Sequence, residues 1–190
     1  VDCLAIEDAR TSSQPAGLEV SNRGQASGCE GQRLRWLIRN EGRYRFKNVQ
    51  AALNRRLQAL EDPRWVSAMV TLIKDQDWFR WHDSGDIQSL EHLKNIFKVC
   101  KLTPRTRHWM PTREAQFLKD IDPATVPSNL IIRMSSHMIG QGPVKQWPWT
   151  STVSTAPEAR TCPAPDQGNE CGSCRACWDR STPNVCYGKH

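Results

Sequence analysis

Residues 77–82 read Asp-Trp-Phe-Arg-Trp-His, and residues 129–134 read Asn-Leu-Ile-Ile-Arg-Met. Both are short runs of aromatic or aliphatic residues, which is typical of buried β-strands. A third strand is predicted between them, over residues 107–110. Helical patterns separate the three strands, which follow one another at intervals of about 25 residues. This alternation predicts an α/β fold with a parallel sheet and right-handed crossovers.

Helices are predicted wherever apolar residues recur every three or four positions. This spacing occurs over residues 46–60, over the segment that begins at Pro63, and over residues 89–100. A further helix is predicted over residues 112–121, because Pro123 then ends the pattern.

Four segments follow from these patterns. Residues 1–41 show no persistent hydrophobic period, so we expect a poorly structured or aberrant N-terminal segment. Residues 42–137 form the predicted α/β core. Residues 138–161 hold Gly, Pro and Trp and are predicted to be an irregular covering segment. Residues 162–190 form a cysteine-rich tail.

The charge of the chain leaves its partner class open. The formal net charge is +6 and the isoelectric point is about 9.0. Such a balance is compatible with nucleic acid, although a cationic cluster is more often a solvated face. The sequence offers no apolar run long enough to span a membrane and no secretory signal, so we expect a cytoplasmic protein. The cationic residues concentrate in one stretch: Arg33, Arg35, Arg39, Arg43, Arg45 and Lys47.

The tail carries five of the eight cysteines, at Cys162, Cys171, Cys174, Cys177 and Cys186. Close spacing without a secretory signal favours metal ligation over disulfides. Three cysteines at consecutive two-residue gaps are typical of a 4Fe–4S cluster, whereas structural zinc usually takes two separated pairs. The pattern favours the cluster slightly and leaves zinc open.

A closed site needs four ligands. Cys171, Cys174 and Cys177 are the firmest candidates, and Cys162 is the first choice for the fourth. Cys186 or His190 could take its place. The site is either a structural staple or a redox or auxiliary cluster.

Polar residues follow each predicted strand, and in parallel sheets such ends meet at one edge, where sites are built. His82, Asp83 and Asp86 follow the first strand, and Arg113 follows the second. We predict a catalytic site at this edge, because these residues supply a base, two carboxylates and a planar cation. The alternative is a local polar turn in which Asp86 caps the next helix and Arg113 pairs with a carboxylate.

Several of these segments together resemble a phage and prophage family known as gene product 88. The resemblance covers roughly residues 40 to 190. It implies a partial (β/α) barrel similar to radical-SAM-like proteins, a location in the bacterial host's cytoplasm, and S-adenosylmethionine as a family cofactor. The segments that carry it are residues 79–86, residues 109–114, residues 129–133, and Cys171, Cys174 and Cys177 with Trp178.

The chain departs from that family upstream of residues 43–46. The family typically has a cysteine-rich segment there, whereas this chain has only Cys3 and Cys29 in its first forty residues, as a shifted reading frame would produce. We therefore expect a metal- or iron–sulfur-binding phage protein of unknown substrate that lacks the N-terminal cluster. The alternative is a non-catalytic zinc-stabilised binding protein that contacts nucleic acid. For the chain as a whole, the expected partner is an unknown small molecule or nucleic acid.

Overall fold

The computed structural model describes residues 46–82 and 86–189. The chain divides between Gln58 and Ala59 into two units, and each is described by itself. In the first unit the described part is almost entirely helix α1, Lys47–Ala59, whose side chains are all half-buried or exposed. This helix confirms the one predicted over residues 46–60. The predicted segment 1–41 lies outside the described residues.

The second unit is built on a five-stranded parallel sheet that curls into a half-barrel. The strands lie in the sheet in the same order as in the chain, and every neighbouring pair is parallel. The predicted parallel α/β sheet is thus confirmed. The strands are β1 Trp78–Arg80, β2 Arg107–Thr112, β3 Leu130–Ser135, β4 Thr150–Ser154 and β5 Asn184–Gly188.

The sequence predicted β1, β2 and β3 but neither β4 nor β5. Strand β4 reads Thr-Ser-Thr-Val-Ser, which has one apolar residue, and β5 reads Asn-Val-Cys-Tyr-Gly inside the cysteine-rich tail. Neither run has the hydrophobic alternation that marks a strand by itself. Both are strands because the ladder from β3 through β4 to β5 satisfies their backbone groups.

Two helices, α2 Trp65–Ile73 and α3 Leu90–Leu102, contribute to the main core. We call the sheet surface that shares this core the helix face. Its buried residues include Phe79, Met110 and Ile132. Ser89 begins α3, since its hydroxyl accepts a hydrogen bond from the His92 N–H at 3.0 Å.

The C-terminal end of α3 is closed by a side chain from a distant part of the sequence. The Asn129 amide nitrogen donates to the carbonyl oxygens of Cys100, Thr103 and Thr106, at 2.9 to 3.0 Å. The last carbonyls of a helix have no full set of partners within it, and this one amide adds a donor to one of them, that of Cys100, and to two carbonyls just beyond the helix. Asn129 stands just before β3 and thereby joins the helix to the sheet.

The helix predicted over residues 112–121 is wrong. This stretch holds only a short 3₁₀ turn, Ala115–Phe117. Thr112 is the last residue of β2, and the backbone N–H of Arg113 donates to the Asp86 carboxylate at 2.8 Å. Thr112 is thus held in the strand end and Arg113 against Asp86, so the two cannot form the first turn of a helix. The residues that remain before Pro123 are too few for an α-helix of ordinary length.

The second face of the sheet, which we call the tail face, is covered by the C-terminal segment. Trp109 and Val185 on this face pack against Cys177 and Trp178. Strand β3 is covered on both faces, and five of its six residues are therefore buried. Among the described helices, none combines the length and apolar character needed to cross a lipid bilayer.

Candidate functional site

Asp86 organises the polar edge that the sequence predicted. Its carboxylate accepts hydrogen bonds from the Thr112 hydroxyl, from the Arg113 N–H at 2.8 Å and from its neighbour Ile87 N–H at 2.7 Å. Burial raises the pKa of Asp86, while these hydrogen bonds act in the opposite direction. The carboxylate therefore ties the loop after β1 to the end of β2.

Two of the other predicted catalytic residues lie in the described part of the chain, Arg113 and His82. The Arg113 side chain is exposed, and the contact of this residue with Asp86 is made by its backbone. His82 is half-buried with φ of 56°, and its ring packs edge-on against His92 at 5.5 Å. Asp83 lies outside the described residues. A catalytic role for these four residues remains a prediction. The described contacts of Asp86 are hydrogen bonds that hold a loop and a strand end together.

Two histidines, His92 on α3 and His108 near the start of β2, are buried. Burial lowers the pKa of His92 to about 4, and it lowers the pKa of His108 to about 4 as well. The backbone N–H of Gln88 donates to His92 Nδ1 at 3.2 Å, and His108 Nε2 lies 2.9 Å from the Thr103 hydroxyl. Both rings are therefore neutral at physiological pH and act as packed polar groups.

The cysteine segment, residues 162–177, holds the four predicted metal ligands, and all of them are free thiols. Burial raises the pKa of Cys162, and negative charge on Cys171 and Cys174 would raise it further. Burial also raises the pKa of Cys177 to about 11, with smaller contributions of the same sign from Cys162 and Cys171. Cys162 thus lies within electrostatic range of the other three thiols.

That range is wider than a coordination shell. In residues 46–82 and 86–189 no three His, Cys, Asp or Glu side chains lie close enough together to hold a metal ion. The donor set is a thiolate set of the kind that zinc and iron–sulfur clusters use. These residues therefore fit the expected groups in chemistry, and coordination would require the cysteine segment to draw its thiols closer.

The alternative fourth ligands are placed differently. The backbone carbonyl of Cys186 accepts hydrogen bonds from the N–H groups of Thr161 and Cys162, both at 3.0 Å. The Cys186 thiol lies on β5, 3.8 Å from the carbonyl oxygen of Tyr187. His190 lies outside the described residues.

Arg133 is the residue of this region that sequence reasoning missed. It is wholly buried in β3, on the tail face, and its guanidinium donates to five backbone carbonyl oxygens. Burial lowers its pKa, whereas negative charge on Cys177 would raise it. The acceptors are Cys177 at 3.1 Å, Thr150 at 3.2 Å, Ala176 at 2.6 Å, Asp179 at 3.0 Å and Thr182 at 3.1 Å.

Two further side chains fasten the end of the cysteine segment to the sheet. The Trp178 indole N–H donates to the Phe79 carbonyl on β1 at 3.1 Å. The Arg180 guanidinium donates to the carbonyl of Pro127 at 2.7 Å and to that of Leu130, the first residue of β3, at 3.0 Å. It lies 4.7 Å from the centre of the Trp149 ring. For Arg133 the sequence did contain a signal, namely a cation inside an apolar strand. Such a cation needs buried hydrogen-bond acceptors.

Comparison with known proteins adds one match. The model of the phage protein family described as Gene product 88 matches residues 23–180, which is most of the chain. No curated protein and no solved structure shows significant similarity to the chain.

Proposed function

Because the chain belongs to the Gene product 88 family of phage proteins, we propose that it binds a metal through its cysteine segment. Cys162, Cys171, Cys174 and Cys177 would hold one zinc ion or one 4Fe–4S cluster against the tail face of the half-barrel. The proposal takes the family membership as its premise and the surroundings of the four thiols as its support.

The observation that carries the proposal is the charge of Arg133. This guanidinium is wholly buried, and no ion pair within residues 46–82 and 86–189 includes it. The carboxylate of Asp179 raises the pKa of Arg133, but by less than negative charge on Cys177 would. Its partners are neutral carbonyls, three of them on residues 176–179. A buried cation is costly unless an opposite charge lies nearby. Four thiolates around one divalent ion carry a net negative charge, and they would supply that counter-charge next to Arg133.

The protonation state of the buried thiols would make metal binding depend on pH. Burial keeps Cys177 protonated at neutral pH, with a pKa of about 11. Since only thiolates are good ligands, a metal must displace these protons, and its affinity should therefore rise with pH. Metal binding would also add folding free energy to a tail of short elements, so a structural staple is the role that this packing supports best.

Two finer versions of the proposal differ in the metal. The run of cysteines at 171, 174 and 177 favours an iron–sulfur cluster, and a tail fastened by Arg133 and Trp178 suits a structural zinc equally well. Radical chemistry with S-adenosylmethionine would require a further cysteine cluster. Upstream of the cysteine segment the sequence has Cys3, Cys29 and Cys100, which are far apart in the chain, so we do not extend the proposal to that reaction.

Anaerobic purification of the full chain with metal analysis tests the proposal. A brown protein that absorbs near 400 nm and contains stoichiometric iron and sulfide would establish the cluster version. A colourless protein with one zinc per chain would establish the zinc version and remove the cluster. A chain that holds neither metal after anaerobic reconstitution with each would overturn the proposal.

A further inference from the structure

Three arginines stand over tryptophan rings on the tail face, beside the edge strand β1. The Arg80 guanidinium lies 4.9 Å from the centre of the Trp109 ring. Arg107 and Arg175 both lie over Trp78, at 5.8 and 5.1 Å. The guanidinium groups come from β1, from β2 and from the cysteine segment, so only the tertiary structure brings them together.

The rings that support these arginines contact one another. Trp178 packs edge-on against Trp78 at 5.7 Å and against Trp109 at 5.1 Å. We call Arg80, Arg107, Arg175 and these three tryptophans the arginine–tryptophan cluster. Because Trp109 and Trp178 are buried, the cluster is a fixed part of the fold rather than a set of loose surface chains.

Among the described residues, no acidic side chain forms an ion pair with an arginine of the cluster. The ion pairs in residues 46–82 and 86–189 involve other cations, namely Arg64, Lys98, Lys119 and Arg160. Arg175 donates only to backbone carbonyls, those of Gly172 and Cys174, both at 2.7 Å.

The guanidinium of Arg80 also lacks part of its hydrogen bonding. Its buried Nε atom has no hydrogen-bond partner. A buried donor without an acceptor is uncommon in folded proteins and asks for an explanation. Within the described residues no ion pair includes Arg80, Arg107 or Arg175, so their positive charges can attract negatively charged groups.

We propose that the arginine–tryptophan cluster binds the phosphate backbone of single-stranded nucleic acid. A guanidinium that lies on an indole ring is already ordered, and its N–H groups remain able to bind phosphate in a bidentate manner. Half-exposed Trp78, on which Arg107 and Arg175 lie, adds an aromatic surface of the kind that proteins use to bind unpaired strands.

A single strand fits this surface better than a duplex. Reading of a duplex groove requires an inserted helix or a two-stranded ribbon. Strand β1 has three residues, and the cluster lies along its side. Cations and aromatic rings along a short edge are instead the features with which proteins bind unpaired strands.

This inference goes beyond the proposed metal site and does not depend on it. Only Arg175 lies within the cysteine segment, so a metal there would alter one of the three cations. Arg80 and Arg107 stand on the sheet itself. Loss of metal binding would therefore leave nucleic-acid binding reduced but present, whereas loss of the two sheet arginines would leave the metal content unchanged.

Fluorescence anisotropy with a labelled single-stranded oligothymidylate measures the binding. We expect log affinity to fall with log salt concentration with a slope of about −2, which corresponds to three neutralised phosphates. Arg107→Gln and Arg175→Gln should each weaken binding about fivefold and make the slope shallower by about 0.7. The double variant should combine both losses.

Arg105→Gln is the matched control. Arg105 is exposed two residues before Arg107 and stands over none of the described tryptophan rings. The proposal is overturned if Arg105→Gln weakens binding as much as Arg107→Gln, or if the folded wild-type chain does not bind. It is equally overturned if duplex DNA or poly-glutamate competes as well as the single strand does. Thermal unfolding of each variant verifies that it folds.

Discussion

Arg133 Nε donates a hydrogen bond to the backbone carbonyl of Cys177 at 3.1 Å, from the central strand to the end of the cysteine segment. The same guanidinium also donates to carbonyls on Thr150 of β4 and on Thr182 just before β5. One wholly buried side chain thus holds together the two strands that the sequence did not predict and the segment that carries the cysteines.

Arg133→Lys should destabilise the protein by about 2 to 4 kcal/mol, because a buried acceptor that loses its donor costs about 1 to 3 kcal/mol. Lysine keeps the charge but has no planar fork, and it leaves several of the five carbonyls without a donor. Urea unfolding measures the loss.

Arg113→Lys is the matched control, because this arginine is exposed and its side chain makes no hydrogen bond in the described part of the chain. It should stay within about 0.5 kcal/mol of the wild type. If Arg133→Lys were equally harmless, Arg133 would not hold the tail.

Cys171→Ser and Cys174→Ser should each abolish stoichiometric metal binding, since a closed site needs all four thiolates. Metal analysis after anaerobic purification is the measurement. Cys100→Ala is the control: Cys100 is wholly buried in the helix-face core, and burial raises its pKa. This variant should keep its metal. Retention of full metal content by both serine variants would remove these cysteines from the site.

The stability of the protein should fall as the pH drops from 6.5 towards 4. Burial lowers the pKa of His92 and of His108 from 6.5 to about 4, so the unfolded chain binds protons in this window that the folded chain does not. Their contribution is complete above pH 6.5 and is lost as the pH falls to about 4. Each histidine accounts for at most about 3 kcal/mol.

Urea unfolding at several pH values separates this effect from that of the carboxylates. His108→Phe should flatten the dependence of unfolding free energy on pH between 6.5 and 4, because the variant has one fewer buried group to protonate. His137→Phe, at an exposed position, should leave that slope unchanged. A slope that is identical in all three proteins would contradict the assignment.

Asp86→Ala should destabilise the protein by about 2 to 4 kcal/mol, because it deprives the Thr112 hydroxyl and the N–H groups of Arg113 and Ile87 of their acceptor. Asp120→Ala removes an exposed carboxylate and should cost less than about 0.5 kcal/mol. Equal unfolding midpoints for Asp86→Ala and the wild type would mean that the carboxylate does not support the polar edge.

The sequence was sufficient for those parts of the fold that have a local signal. Aromatic and aliphatic runs predicted β1 and β3, and apolar spacing predicted the helices now observed as α1, α2 and α3. It was misleading at residues 112–121, where the contact between Asp86 and Arg113 joins positions far apart in the chain. No local pattern encodes such a contact.

The sequence by itself determined that this is an α/β protein with a parallel sheet and a dense set of cysteines at its C-terminal end. Only the tertiary structure decided that β4 and β5 extend the sheet, that Arg133 anchors the cysteine segment, and that three arginines meet on tryptophan rings. The reason is physical. Hydrophobic period and cysteine spacing are properties of neighbouring residues, whereas ladder hydrogen bonds and buried charge depend on residues that only the folded chain brings together.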